Sequence, residues 1–559
     1  MPFYDQPSRR TPHDVRKSVR LFYWLAWAVL YLGVPTRLYN GDVLNLYWRL
    51  RTAHWHELFN PNAMLWAPVL DLWVHWARAL GFHRFPGQEL FFCQCLNSLV
   101  ALLLLASVYR WSRLLGARTS VAFTVAGFVG ANFTCWHWGT DVNPYLLLTL
   151  FGTWAVWSAW SYATSWHKDR LYWSAVFFAC ALLIHLLAIV LVVPQWYAIW
   201  SRQEHPVKRK LLAWGVHFAI TAALVGGPYL YVSEVLYRDR PQGGIVNFLR
   251  AGSAREDRWA LARYEDPPPE WPSSIAIGHF NLAWYSDAPE VYYTYRKPKS
   301  QAIFDSVWMN RVLPYLWLLN TILAVIALFP TVRLLREGEP GRNLALFLLW
   351  TTPSFLIIGA VNPALGYLRL IYLPAMALLV GLWITLSPQT RKRPIQALVL
   401  VMLAWNFFEG ILPHSVYGQV PAYAQAVAWR SDLGPQDLVV LTPEQDYLGR
   451  HVRAFAGPER ALVGNMATLI QRPPGVTPLQ FGTLDGTTLD DLFAGIYIER
   501  ALFEEFDARG GLRFAALRPP GNTEVDLLLL RRTWEPVAEL AGEHAGVGLV
   551  RIAPQSPVY

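Results

Sequence analysis

Apolar runs long enough to cross a lipid bilayer, joined by short basic connections, recur from residue 20 to residue 413. A hydrocarbon core of roughly 30 Å takes about 20 helical residues at roughly 1.5 Å each. Runs of that kind fall at 20–37, 90–109, 119–138, 145–163, 211–232, 311–331, 343–360, 368–387 and 396–413. Between "SWHKDR" and "SRQEHPVKRK" the apolar stretch 171–200 has only 30 residues, too few for two full spans, yet both its flanks are basic. A tight hairpin of two short helices turning near "IHLLA" meets both conditions. The expectation is an α-helical polytopic membrane protein with about eleven membrane helices. At 54% hydrophobic and 16% charged the chain is too apolar for a soluble fold. Its 28 Trp and 26 Tyr suit rings that settle at membrane–water boundaries.

The connections 8–20, 110–118, 164–170, 201–210, 332–342 and 388–395 each carry several Lys or Arg and alternate with acidic or aromatic ones. By the positive-inside rule the basic connections and the N-terminus face the cytoplasm. Segments 38–89, 139–144, 233–310 and 361–367, with everything after 413, then face outside. The net charge of +9 is thereby a topology signal rather than a nucleic-acid footprint. No small-residue cleavage site follows the basic start, so the first helix reads as a retained signal anchor.

The first external segment is more than a loop. "VLNLYWRLRTAHWHELF" and "MLWAPVLDLWVHWARAL" are helix-length and apolar on one side, and the second carries Asp71, His75 and Arg78, costly at mid-bilayer. Such helices lie in the interface plane. The connection 233–310, with "YEDPPPEWPSS" and "WYSDAPEVYYTY", is of a length that carries function or is disordered. After 413 the pattern changes. "DLVVLT" (437–442), "EVDLLLLRR" and "GVGLVRIA" read as strands, and "LDDLFAGIYIERALFEEFDARG" (489–510) as a helix whose acids Glu504, Glu505 and Asp507 form a solvated face. Residues 1–412 are therefore expected to form the transmembrane domain and 413–559 an external α/β domain. No glycine-rich phosphate loop is found, since "AGVGLV" precedes a strand rather than a helix.

Cys93, Cys95, Cys135 and Cys180 all fall in apolar runs and read as packing residues, without Cys-x-x-Cys spacing. The "NFT" sequon at Asn132 falls inside a span. Polar residues able to carry chemistry gather on the outer side: Asp42 after the first run, Asp141, Asn143 and Tyr145 in "GTDVNPY", His185 at the hairpin turn, and Arg369 in "NPALGYLRLIY" with Tyr372 beside it. Each has a plain alternative. Asp42 and Asp141 can stop a helix, His185 can be satisfied in a turn, and Arg369 can snorkel to lipid phosphates. His54 and His56 in "HWHELF" are weak metal candidates for want of a third ligand.

Their order along the chain is more specific. An acid soon after the first helix (Asp42) is followed by two interfacial helices with "FNPNAMLWAPV" between them. Then come "WHWGTDVNPYLL" after the third helix, "LLIHLLAIVLVVP" in a short hairpin and "YLRLIYLPAMALL" late in the membrane part. Over about residues 1–412 this pattern resembles the GT-C superfamily of membrane glycosyltransferases, in particular the branch related to protein O-mannosyltransferases and polyprenyl-phosphate-sugar transferases. The resemblance implies inverting transfer of a sugar from a polyprenyl-phosphate-linked donor to a hydroxyl acceptor, of protein, glycan or lipid, at the outer membrane face. It implies Asp42 as general base, Arg369 on the donor phosphate, and Asp141, His185, Tyr145 and Tyr372 around the donor. The compartment it implies is a bacterial inner membrane with the C-terminal domain periplasmic, although an endoplasmic reticulum shares the orientation. The membrane lipid and the lipid-linked sugar are the expected partners, and no nucleic acid is.

One departure stands out. Many relatives have a second acid beside the first or three residues on, where this chain has Val43 and Asn45. A divalent metal is thereby doubtful as a cofactor, and a non-catalytic scaffold or assembly partner that kept the GT-C frame is the alternative. A transporter is disfavoured, because no charged pairs fall within the runs and no inverted repeat is visible.

Overall fold

In the computed structural model the described residues are 17–253 and 338–463, apart from 38, 40, 53, 83–87, 166, 202–205, 241–242, 362–365, 387–388, 416–420, 435–436, 442–444 and 457–459. To these are added 495–501, 504, 534–540, 542 and 546–554. Among them the chain divides into two compact units. One comprises 1–36, 59–66 and 94–412; the other comprises 37–58, 67–93 and 413–559. The expected span 311–331, the Pro- and Tyr-rich stretches of the 233–310 connection, the strand "EVDLLLLRR", and Glu505 and Asp507 lie outside the described residues.

The first unit is helical. Its segments are α1 (Lys17–Gly33), α4 (Gln88–Leu114, whose first turns belong to the other unit), α5 (Thr119–Gly130), α6 (Phe133–Thr140), α7 (Tyr145–Ser165), α8 (Lys168–Ile184), α9 (Val192–Trp200), α10 (Val207–Tyr231), α11 (Ile245–Ser253), α12 (Gly338–Val361), α13 (Leu373–Leu386) and α14 (Gln389–Asn406). Among the described residues three helices are by themselves long and apolar enough to cross a membrane: Gln88–Leu114, Val207–Leu236 and Leu368–Leu386. On α10, Leu211, Leu212, Phe218, Leu224 and Leu230 are exposed on several sides, as suits a helix with hydrocarbon for solvent.

The expected run 119–138 is not one helix. It breaks after Gly130, and Asn132 caps the second piece by accepting a hydrogen bond from Cys135 N at 3.2 Å. The carbonyl that the break frees is met by a neighbour, since Asn406 Nδ2 donates to Ala131 O at 2.7 Å. A β-carbon on Gly130 would lie 2.8 Å from both Trp27 and Leu105, so this close approach needs glycine. The short hairpin is present. α8 ends at Ile184, His185 is extended (φ −164, ψ 132), a 3₁₀ segment Leu186–Leu191 follows, and α9 returns. The return brings Ser174 Oγ to 3.2 Å from Gln195 Oε1 and 3.2 Å from His217 Nε2 of α10.

In the second unit the first external segment forms α2 (Gly41–Thr52) and α3 (Trp66–Ala79, whose Trp66 belongs to the first unit), both helical as expected. Arg78 Nε donates to Glu89 Oε1 at 2.6 Å, and that carboxylate keeps the guanidinium charged. The C-terminal part contributes α15 (Pro421–Ala428), α16 (Asp446–His451) and strands β1 (Asp437–Leu441), β2 (Arg460–Val463), β3 (Gly495–Glu499), β4 (Trp534–Leu540) and β5 (Leu549–Pro554). They form one sheet in the order β2-β1-β3-β5-β4, with β1 parallel to β2 and β3, and β5 antiparallel to β3 and β4. The α/β class is as expected, and "DLVVLT" and "GVGLVRIA" do supply strands.

The helix expected over 489–510 is corrected at its centre, where Gly495–Glu499 is a strand. "GIYIE" is rich in Ile and Tyr, and ladders on both sides satisfy its backbone, which outweighs a helical spacing of apolar residues. Glu504 is exposed, as a solvated position requires.

Candidate functional site

Where α6 gives way to α7, the turn Asp141–Pro144 is held from beneath by α4. Three polar side chains of that helix lie on one face at i, i+3 and i+4: Gln94, Asn97 and Ser98, all buried. Gln94 Nε2 donates to Thr36 O at 2.9 Å and to Thr140 O at 2.7 Å. Asn97 Nδ2 donates to Asp141 O at 2.7 Å and Asn143 O at 3.0 Å, and Ser98 Oγ to Tyr31 O at 2.8 Å. Thr36, just beyond α1, donates from its backbone N to Thr140 Oγ1 at 3.1 Å and stands 3.5 Å from His137 Nδ1. The side-chain donors of α4 all satisfy backbone oxygens at or just beyond helix ends, so the turn is built on rigid, dry ground.

The turn is also held from within. Asp141 is 0% exposed and its Oδ1 accepts from Val142 N at 2.8 Å, while Asn143 Oδ1 accepts from Tyr145 N at 3.0 Å. Tyr145 opens α7, and its ring lies 5.2 Å from that of His185 at the hairpin break. His185 Nδ1 accepts from Leu187 N at 3.1 Å, which makes Nε2 the protonated nitrogen of a neutral ring. Both rings are half-buried, whereas Asp141 is fully buried. The hairpin break is tied to the segment before α3: Leu186 N donates to Asn62 O at 3.0 Å and Leu65 N to Leu183 O at 2.9 Å.

Arg369 and Tyr372 sit on a 3₁₀ segment, Gly366–Tyr372, that leads into α13 and packs against both α6 and α7. Trp350 of α12 fixes that segment by donating Nε1 to Ile371 O at 2.9 Å. Arg369 is 4% exposed and close enough to Tyr372 for the two to interact electrostatically. Of the expected residues, Asp141, Tyr145, His185, Arg369 and Tyr372 thus belong to one unit and to elements in contact with one another. Asp42, the second residue of α2, belongs to the other unit, as do His54 and His56, whose rings stack at 5.6 Å. Among the described residues no group of three or more His, Cys, Asp or Glu stands together as a metal site would.

Thr36, Gln94, Asn97 and His137 belong to this cluster without being among the residues expected from the sequence. The signal for two of them is there: Gln94 and Asn97 are amide side chains inside an apolar span, where polar groups are expensive.

No protein-family profile matches the chain, nor does any curated protein. Solved structures do. The chain is similar to ArnT from Cupriavidus metallidurans bound to undecaprenyl phosphate, at 12% identity and a TM-score of 0.49 over 96% of this chain and 98% of that one. It is also similar to the oligosaccharyltransferase of Archaeoglobus fulgidus in the apo form, at 11% identity and a TM-score of 0.47 over 87% of this chain and 70% of that one.

Proposed function

We propose that this chain is a GT-C type glycosyltransferase, moving a sugar from a polyprenyl-phosphate-linked donor to a hydroxyl acceptor at the outer face of a bacterial inner membrane. What carries the reading is the buried guanidinium of Arg369, on the segment that packs against both helices flanking the Asp141–Pro144 turn. Burying a charge costs several kcal/mol, which a site for an anionic group repays in function.

In this reading the acceptor oxygen attacks the anomeric carbon as its proton passes to Asp42. The bond from that carbon to the phosphate oxygen breaks, and the polyprenyl phosphate leaves with the electron pair. Positive charge builds on the sugar and negative charge on the phosphate. A guanidinium spans two phosphate oxygens at once and is worth most where water is excluded. Tyr145 and His185 line the sugar side, Tyr372 orients Arg369, and Asp141 sets the turn from beneath. Attack opposite the leaving group inverts the anomeric centre.

A second reading, a non-catalytic scaffold, is favoured by Val43 and Asn45 where a second acid would stand. One experiment separates the two. The purified protein is given a panel of polyprenyl-phosphate-linked sugars and the release of polyprenyl phosphate is followed. The wild type turns over at least one donor, and Asp42→Asn abolishes release while inserting and folding as the wild type does. Undiminished turnover in that variant removes the mechanism. A wild type that is inert to every donor and co-purifies with one fixed partner establishes the scaffold.

A further inference from the structure

Helices α1, α5 and α14 run parallel. Tyr23 OH donates to Phe123 O at 2.8 Å and Tyr31 OH to Gly130 O at 3.2 Å, so α1 and α5 ascend together. Gln396 Nε2 meets Thr124 Oγ1 at 3.2 Å and Asn406 meets Ala131 O, so α14 ascends with them. Between the three opens a cleft of about 670 Å³ whose walls include Trp27, Leu30, Gly127, Val399, Leu403 and Phe407. Apart from the indole nitrogen of Trp27, its polar side-chain atoms come from Tyr23, Thr124 and Gln396, toward the end where the helices begin.

That end is also basic. Arg20 lies three residues before Tyr23, exposed Arg118 immediately precedes α5, and exposed Arg393 lies three residues before Gln396. Arg20 and Arg393 thus stand about 4.5 Å along the axis before the first lining residue of their helices, within reach of a guanidinium for the cleft mouth, and Arg118 stands about 7.5 Å before Phe123. None of the three helices contains Asp or Glu. The cleft therefore presents hydrocarbon walls, a polar neck and a cationic mouth, in that order.

We infer that this cleft is a binding site for one anionic glycerophospholipid, with an acyl chain along the walls and the phosphate at Arg20, Arg118 and Arg393. The charge sequence matches such a lipid end to end, and a zwitterionic headgroup would meet the same three cations with no net charge to offer. The site is separate from the Thr36–Thr140 cluster, which follows the opposite ends of α1 and α5; the 17 residues of α1 alone extend about 25 Å.

The test uses the full chain in nanodiscs of equal phosphatidylcholine and phosphatidylglycerol, released and weighed by native mass spectrometry. One phosphatidylglycerol is expected to stay bound in preference to phosphatidylcholine by about tenfold or more, since each basic side chain near an anionic headgroup contributes about fivefold. The surface double variant R118Q/R393Q loses that preference and keeps the fold, while Ala404→Trp, which fills the cleft, loses the lipid itself. Equal retention of the two lipids, an unchanged preference in R118Q/R393Q, or a retained polyprenyl phosphate in place of phosphatidylglycerol overturns the inference.

Discussion

The side-chain amide of Asn97 reaches the backbone oxygen of Asp141 at 2.7 Å, with that of Asn143 only slightly farther at 3.0 Å, so one residue of α4 ties two carbonyls of the turn that opens α7. Both acceptors are buried. Asn97→Leu keeps the volume and removes the donor, leaving carbonyls that water does not reach. The expected cost is about 1–3 kcal/mol of stability, read as a lowered unfolding midpoint in detergent. On the proposed function, sugar transfer should also fall by more than the folded fraction does, because the loosened turn carries Tyr145. An unchanged midpoint means that the turn is held some other way.

How much of this arrangement could be read in the sequence differs from element to element. The hairpin 171–200 is legible because a short apolar stretch between two basic flanks is met by a turn back on itself. The break at Asn132 was not, because "FVGANFTCW" stays apolar across it and only the donation from Asn406, 274 positions away, meets the freed carbonyl; the separation from Ala131 is 275. β3 reads locally as helix because Ile and Tyr in "GIYIE" fit an apolar helix face as well as a strand, and its partners β1 and β5 lie far off in the chain. Arg369 and His185 were visible as polar interruptions of apolar runs. Their contacts depend on α6, α7 and the hairpin meeting in space, which no local pattern encodes.

Gly139 is expected to tolerate no side chain. A β-carbon there would lie 2.8 Å from Tyr31 Cε1 and 3.0 Å from Leu146 Cδ1. Tyr31 cannot yield freely, because its hydroxyl donates to Gly130 O and its carbonyl accepts from Ser98. Gly139→Val should cost about 1–3 kcal/mol through overpacking and shift the turn below it. The check is a pair of unfolding curves, Gly139→Ala against Gly139→Val. If Val is no worse than Ala, the packing here is looser than these distances imply.

Ser174 ties the hairpin to its neighbours. Its hydroxyl donates to Ala155 O at 2.9 Å and lies 3.2 Å from both Gln195 Oε1 and His217 Nε2. Ser174→Val removes the shared hydroxyl and strands two buried polar groups, at an expected cost of about 1–3 kcal/mol. The double variant S174V/H217F should recover part of that loss, because His217 then has no hydrogen bond to miss. No recovery would show that the three residues are not one network, and a double-mutant cycle on unfolding midpoints measures the coupling directly.

Arg369 offers the sharpest separation of charge from shape. Lysine in its place keeps a positive charge but cannot pair two phosphate oxygens in one plane. Trp350 holds the backbone of this segment through Ile371 O, so the substitution does not depend on the side chain for its scaffold. On the proposed function, Arg369→Lys is expected to slow transfer by roughly 10²-fold, the usual loss when one preorganised charge-stabilising contact goes. The loss should fall mainly on kcat, since the leaving phosphate gains charge only as the bond breaks. Arg369→Gln, without charge, should be slower still and should also weaken donor binding. If lysine restores full kcat, a point charge suffices and the paired-oxygen geometry is wrong. If neither variant changes transfer, the guanidinium serves packing alone and the phosphate is met elsewhere.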